Sequence, residues 1–177
     1  MQWNIDPAHT HIEFSVKHLG IATVKGRFRQ FSATAETDVE GKLISISATI
    51  DANSVDTGVE QRDTHLRSAD FFDVARFPAI NFKSTSISYT SANDAVVKGD
   101  LTLHGVTKPV SFTLEQEAEI KDPWGNRRIA SVATGKLSRK EWGLTWNQAL
   151  ELGGVVVSDE VKFSLEVQVI AAAAKAA

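Results

Sequence analysis

Apolar side chains recur at every second position over most of this chain. Ile12, Phe14, Val16 and His18 alternate with Glu13, Ser15 and Lys17, the period of a half-buried strand. Val24, Gly26 and Phe28 resume the pattern after a turn near Gly20, and Ile44, Ile46, Ala48 and Ile50 make a third strand. A fourth starts at Ile80 and Phe82 and runs on through Ser84 and Ser86; Val97, Gly99, Leu101 and Leu103 form a fifth. The turn His104-Gly105-Val106-Thr107-Lys108-Pro109 leads into a sixth, with Val110, Phe112 and Leu114 on one face. Asp122-Pro123-Trp124-Gly125-Asn126 is another strong turn, before a seventh strand from Ile129 to Arg139. Val161, Phe163, Leu165, Val167 and Val169 give the eighth. Eight strands, one or two short helices and no internal repeat predict an all-β antiparallel barrel or sandwich, which alternation cannot separate. Residues 1–170 read as one domain, and 171–177 as an Ala-rich tail.

One segment breaks the pattern. Thr57 and Glu60 have the spacing of a capping box, so a short helix is predicted from near Gly58. Its expected inner stripe, Val59, Arg62, Asp63 and Leu66, carries two charges. Neighbouring helix residues do not face each other, so Arg62 and Asp63 each need a partner elsewhere. Charges turned inward are costly unless paired. The helix therefore covers something polar at the edge of something greasy.

Several inward positions are small: Gly26, Ser84, Ser86, Gly99, Ser131, Ala133 and Gly135. An eight-stranded barrel is either filled by large side chains or wide enough for one small ligand. Small residues favour a cavity, and Arg139 at the end of the seventh strand's inner face suits an anionic head group. The competing reading makes the glycines bulges and bends, with Phe and Ile filling the space.

Composition narrows the partners. At 177 residues, 42% hydrophobic and 23% charged, the chain suits a soluble globular protein. A formal net charge of −3 and the lack of any Lys/Arg run give no footprint for nucleic acid. No apolar run is long enough to span a membrane, and residues 1–20 show no secretory signal. With Met1 at the start, a cytoplasmic location is expected, or a periplasmic one if a signal was removed before this numbering. The absence of cysteine excludes disulfides, thiolate metal sites and a Cys nucleophile.

Longer motifs carry a resemblance. Trp3-Asn4-Ile5-Asp6-Pro7-Ala8-His9-Thr10, Phe14-Ser15-Val16-Lys17-His18-Leu19-Gly20 and Arg62-Asp63-Thr64-His65-Leu66 with Asp70-Phe71-Phe72-Asp73 resemble the YceI-like family. So do Phe77-Pro78-Ala79-Ile80-Asn81-Phe82-Lys83-Ser84 and the stretch from Gly99 to Val110, in the expected order over residues 2–170. The resemblance implies a lipocalin-like eight-stranded antiparallel barrel that binds polyisoprenoids or other long-chain lipids, and a homodimer. The chain starts almost directly at the first motif, unlike family members with a secretion signal.

The expected ligand is thus a polyisoprenoid, an isoprenoid quinone or another long-chain lipid, with a fatty acid or fatty amide as the alternative, held for carriage, storage or sequestration. No cofactor is expected, and no membrane span, though transient membrane contact fits such a carrier. At about 0.3 kcal/mol per heavy atom, a twenty-carbon chain would bind at tens of micromolar and a forty-carbon chain at nanomolar. Phe14, Val16, Phe28, Phe82, Leu101, Phe112, Leu137 and Phe163 are the candidate lumen lining. His18, Arg62, Asp63, Leu66, Phe71, Phe72, Arg139 and Trp142 are the candidate entrance and head-group residues. Consecutive strand positions face opposite ways, so one of Phe71 and Phe72 is expected to be ordinary core.

Other readings rest on fewer residues. His9 and His11 would share a strand face as metal ligands, with His65 and His104 elsewhere, but zinc wants three or four protein ligands. Asp63 with His65, or His104 with a hydroxyl, would be an acid–base pair, yet no nucleophile elbow or phosphate-cradling loop accompanies them. A scaffold for protein interaction or stress response, with a filled barrel, would present Trp124 or the loop Trp142-Gly143-Leu144-Thr145-Trp146. That loop is instead expected to cap one barrel end.

Overall fold

The computed structural model describes residues 1–172. Its strands form one closed antiparallel barrel of eight staves, three of them broken in two. The first stave is β1 (Gln2–Ile5) and β2 (His11–His18), the second β3 (Ala22–Phe28) and β4 (Phe31–Thr37), and the third β5 (Leu43–Asp51) and β6 (Val55–Asp56). At one level β1 pairs with β4 and β4 with β5; at the other β2 pairs with β3 and β3 with β6. The remaining staves are β7 (Ala79–Tyr89), β8 (Asp94–Leu103), β9 (Val106–Gln116), β11 (Arg127–Ser138) and β12 (Glu160–Ala171). β10 (Ile120–Lys121) pairs only with the start of β11. The ring closes along β11 and β12, from Arg128 opposite Ile170 to Ser138 opposite Glu160. β12 runs to Ala171, and residues 173–177 of the expected Ala-rich tail lie outside the described residues.

Local chemistry explains the breaks. In the first stave Pro7 lacks an N–H for the ladder, and the Asp6 carboxylate accepts from the Ala8 N–H, turning Pro7–His9 into a 3-10 helix. In the third, Asp51 does the same for Asn53 at the 3-10 turn Ala52–Ser54. Two register shifts redirect side chains that strict alternation places inside. The shift at Glu36/Thr37 turns Ile44 outward, and Ile44 is 55% exposed. The shift between Ser84 and Ser86 puts Ser86 outside and brings Ile87 and Tyr89 against the core. Ser84 stays inward, where its hydroxyl accepts from the Ile46 N–H at 2.9 Å.

Two clusters hold the ends. At one end Trp3, with no exposed surface, packs with Ala35, Leu43, Val97, Leu114 and Ile129, and its indole donates to the Thr37 hydroxyl at 2.9 Å. At the other end Phe28, Val55, Phe71, Ile80, Leu103, Trp142 and Leu144 pack beneath α1 (Glu60–Arg67) and the loop after it.

An ion cluster fastens the sealed end. Arg128 on β11 reaches Asp6 at 2.6 Å and Asp122 at 2.8 Å. Its guanidinium holds both carboxyls below their usual range, Asp122 most of all, with His9 and Asn126 adding to the effect. A lowered folded-state pKa gives stability that is complete above the unfolded value of about 3.9 and is lost as pH falls through the folded one. Urea midpoints of the wild type should therefore fall steeply below about pH 4, and Arg128→Ala should flatten that slope.

Candidate functional site

The barrel is hollow. An apolar lumen of about 460 Å3 runs between the two clusters, within the range of about 300–1,000 Å3 typical of small-molecule sites. Phe14, Val16, Phe28, Phe82, Leu101, Phe112, Leu137 and Phe163 all line it. Many are only half-buried, because they face a void and not because they face outward.

Glycine explains how so many phenylalanines leave a space. A Cβ on Gly26 would sit 2.4 Å from the Phe14 ring, and one on Gly135 2.4 Å from the Phe163 ring. Gly99 lies as close under Phe82. Phe14 faces Gly26 and Phe163 faces Gly135 in register, so each ring lies flat over its neighbour's bare backbone. The small residues hollow the lumen indirectly, by letting aromatic rings fold onto the wall. Contacts between these rings, such as Phe14–Phe28 at 5.5 Å and Phe112–Phe163 at 5.8 Å, fix them further.

The lumen reaches the surface at the end opposite Trp3. There β6 pairs only with Arg27 and Phe28, leaving that edge of β3 without a strand partner from Ala22 to Gly26. The lining runs out to the half-buried His18, Val24, Arg62, His65, Leu66, Phe72 and Trp146. Phe71 and Phe72 lie in a turn after α1, not on a strand, so both reach the lumen. Phe72 meets Phe28 edge-on at 5.7 Å, while Phe71 meets Trp146 at 5.2 Å. The His65 ring stands edge-on to Phe71 and Trp146, with its Nε2 2.8 Å from the Asp70 carboxylate.

Thr57 answers the question of the two helix charges. It does not cap α1: the helix starts at Glu60, Val59 holds the N-cap position, and no side chain caps it. Instead Asp63 accepts from both the Thr57 N–H (2.9 Å) and hydroxyl (2.6 Å). Arg62 donates Nε to the same hydroxyl at 2.7 Å and Nη2 to the Thr57 carbonyl at 3.0 Å. One threonine therefore serves both charges and ties the helix to the end of β6. Arg62 still lines the lumen, but Asp63 is buried behind it and is not an entrance residue. Nor is Asp63 paired with His65, so that acid–base pair is not assembled.

Two further expectations change. Trp142 is 1% exposed, donates to the Leu101 carbonyl at 3.1 Å and lies outside the lumen. The 3-10 turn Arg139–Trp142 ends at Gly143 in the left-handed region, and this reversal brings Trp146 to the mouth instead. Arg139 lines the lumen, yet its guanidinium donates to the carbonyls of Leu144 (2.7 Å), Ser158 (3.0 Å) and Val157 (3.4 Å). It is a strut for the 144–158 loop, and burial lowers its pKa despite Asp159 nearby. His65 and Trp146 are the mouth residues that sequence reasoning missed; aromatic side chains beside a charged helix were the available signal.

The histidines do not converge on a metal. His9 sits in the 3-10 turn bonded to Asp6, so it shares no strand face with His11, and His104 contacts the Trp142 carbonyl. Among the described residues no group of three His, Asp or Glu side chains is placed to hold an ion.

A closed barrel with one sealed end and an apolar interior reached from the other is a hollow lipocalin-like barrel. The chain belongs to the YceI-like family, whose family model matches residues 3–169. A UPF0312 protein of Staphylococcus aureus strain USA300 is 37% identical over 163 residues, 91% of this chain and 92% of its own. Among solved structures, the YCEI protein of Campylobacter jejuni superposes with a TM-score of 0.78 at 28% identity, covering 89% of this chain and 90% of that one. BcnA of Burkholderia cenocepacia gives 0.80 at 22% identity, covering 93% and 98%. A polyisoprenoid binding domain from Saccharophagus degradans gives 0.71 at 18% identity, covering 96% and 98%.

Gly26→Ala tests the hollow wall, since the three atoms nearest the new methyl all belong to the Phe14 ring. The ring should swing into the lumen, with a loss of about 1–3 kcal/mol in urea unfolding and weaker uptake of an apolar dye.

Proposed function

We propose that this protein binds one long-chain amphiphile, its chain in the lumen and its head group at the mouth, as a carrier or store. The observation that carries the reading is the apolar lumen of about 460 Å3, sealed at Trp3 and bordered at its mouth by Arg62, His65 and His18. A filled scaffold has no such space. The part of a polyisoprenoid or isoprenoid quinone too long for the lumen passes out through the mouth, across Phe72, Leu66 and Trp146. Support also comes from the Saccharophagus degradans domain of the same fold, which is a polyisoprenoid binding domain.

At the mouth, Arg62 spends Nε and Nη2 on Thr57 and keeps Nη1 for a ligand. A carboxylate or phosphate there would gain a charge-assisted hydrogen bond worth about 1.5–3 kcal/mol. A fatty acid fits the same lumen by the same logic.

Native mass spectrometry of the purified chain, followed by solvent extraction, should release a stoichiometric polyprenyl, quinone or fatty-acyl compound. Ala48→Phe, which fills the lumen from β5, should abolish that mass; retention of the lipid by this variant would place binding outside the lumen. Arg62→Ala should weaken an anionic lipid about tenfold or more and its uncharged alcohol much less. Equal losses for both would make Arg62 purely structural.

A further inference from the structure

The end of the barrel that carries the mouth also carries bare apolar tips. Ile21 is 84% exposed and Leu152 102%, with Leu19 and Val155 beside them at 41% and 45%. Leu19 and Ile21 form the β2–β3 turn. Leu152 and Val155 belong to a second hairpin, in which Ala149 pairs with Val155 and Leu150 bonds to Gly154. The two tips are joined: the Leu19 N–H donates to the Val156 carbonyl at 2.8 Å, and the Ser158 N–H to the Lys17 carbonyl at 2.9 Å.

The β2–β3 turn pays for its tip. Leu19 has φ +55° and Gly20 +71°, the pair of left-handed residues of a turn that favours Asn-Gly. A leucine there is both strained and exposed, so neither turn preference nor burial accounts for it.

Basic residues stand directly behind the tips. Lys136 on β11, Lys162 on β12 and Lys25 on β3 share one lateral row of the outer wall, in register through Ser15. Lys17 lies one row nearer the tip. Like charges opposite each other, as Lys136 and Lys162 are, weaken a sheet. Lys136 pairs with Glu160, but among the described residues no carboxylate lies within 4 Å of Lys17, Lys25 or Lys162. At about 3.3 Å per residue, Lys17 sits about 7 Å behind Leu19 and Lys25 about 13 Å behind Ile21. Membrane-surface elements bury apolar side chains about 5–10 Å deep with lysines at the head groups; Lys17 stands at this depth, and Lys25 and Lys162, one row further back, reach toward it with their long side chains. The sealed end also exposes apolar side chains, Val39 and Trp124, but its surface groove carries Asp38, Glu40, Glu117 and Glu119 against Lys42 and Arg127; at the mouth end Glu151 stands beside Leu152, while Glu160 and Asp159 are engaged by Lys136 and Lys140.

We propose that the mouth end docks on an anionic lipid bilayer. Leu19, Ile21, Leu152 and Val155 enter the acyl boundary, and Lys17, Lys25 and Lys162 meet lipid phosphates. Docking stands independently of the lumen's contents; that it loads the lumen from the membrane rests on the function proposed above.

Co-sedimentation with phosphatidylcholine vesicles, with and without phosphatidylglycerol, tests it. The wild type should bind the anionic vesicles and not the neutral ones. Lys25→Gln with Lys162→Gln should lower binding about thirtyfold, and Ile21→Ser with Leu152→Ser should abolish it. Trp124→Ser, at the far end, should bind as wild type. Leu19→Asn should weaken vesicle binding while raising the urea midpoint, a combination that a structural role for Leu19 would not give. Equal binding to both vesicles, no binding, or an equal loss with Trp124→Ser would overturn the proposal. Solvent extraction of the wild type separates the two readings: vesicle binding by a protein that never yields lipid would remove the lumen function and leave docking intact.

Discussion

Closure of the ladder along β11 and β12 is the constraint on which the rest depends. An ordinary domain is held by contacts across its core, and this one has little core to cross. Counted as a dry void at about 24 cal/mol per Å3, a lumen of 460 Å3 would cost about 11 kcal/mol. That is as large as the whole net stability of a typical domain. The wall is held by its ladder together with the two end clusters, and closure pairs β11 with β12, which would otherwise both be edges. It also makes any apolar occupant a source of stability through mass action.

Closure alone would not keep the interior open. The seven phenylalanines that line this small barrel could meet across it and fill it. Gly26, Gly99 and Gly135 prevent this by giving Phe14, Phe82 and Phe163 a place on the wall. The same rings supply the apolar surface that a ligand would touch. The end clusters then divide the work: Trp3 and Arg128 close one end, while β3 is left without its neighbour at the other.

Much of this is legible in the chain. β2 and β12 alternate large apolar with polar residues, so their inner faces could be read directly, and all eight candidate lining residues lie on the lumen. β4 was not legible, because its inner positions Ala33, Ala35 and Thr37 hardly differ in polarity from Ser32 and Thr34. β1 is too short to show a period. The shifts at Glu36/Thr37 and Ser84/Ser86 reverse parity within a strand, so Ile44 and Ser86 were misplaced by a rule of strict alternation. At the mouth, whether Trp142 or Trp146 faces the lumen turns on one left-handed residue, Gly143, and no periodicity encodes that. Thr57 was misread because the capping-box spacing is satisfied, while Asp63, three residues past Glu60, competes for the same hydroxyl and wins it.

That last competition shapes the mouth. α1 fully buries only one residue, Asp63, and its single apolar side chain, Leu66, is half-buried against the core cluster, so apolar packing alone does not seat it. Its seat is polar: a buried carboxylate and a guanidinium converge on Thr57, in surroundings of low dielectric where such bonds are strong and costly to leave unmade. The Leu66 and Phe72 side chains face the lumen while packing against the cluster beneath the helix. Filling or emptying the lumen changes what these two side chains touch without removing what holds α1 in place.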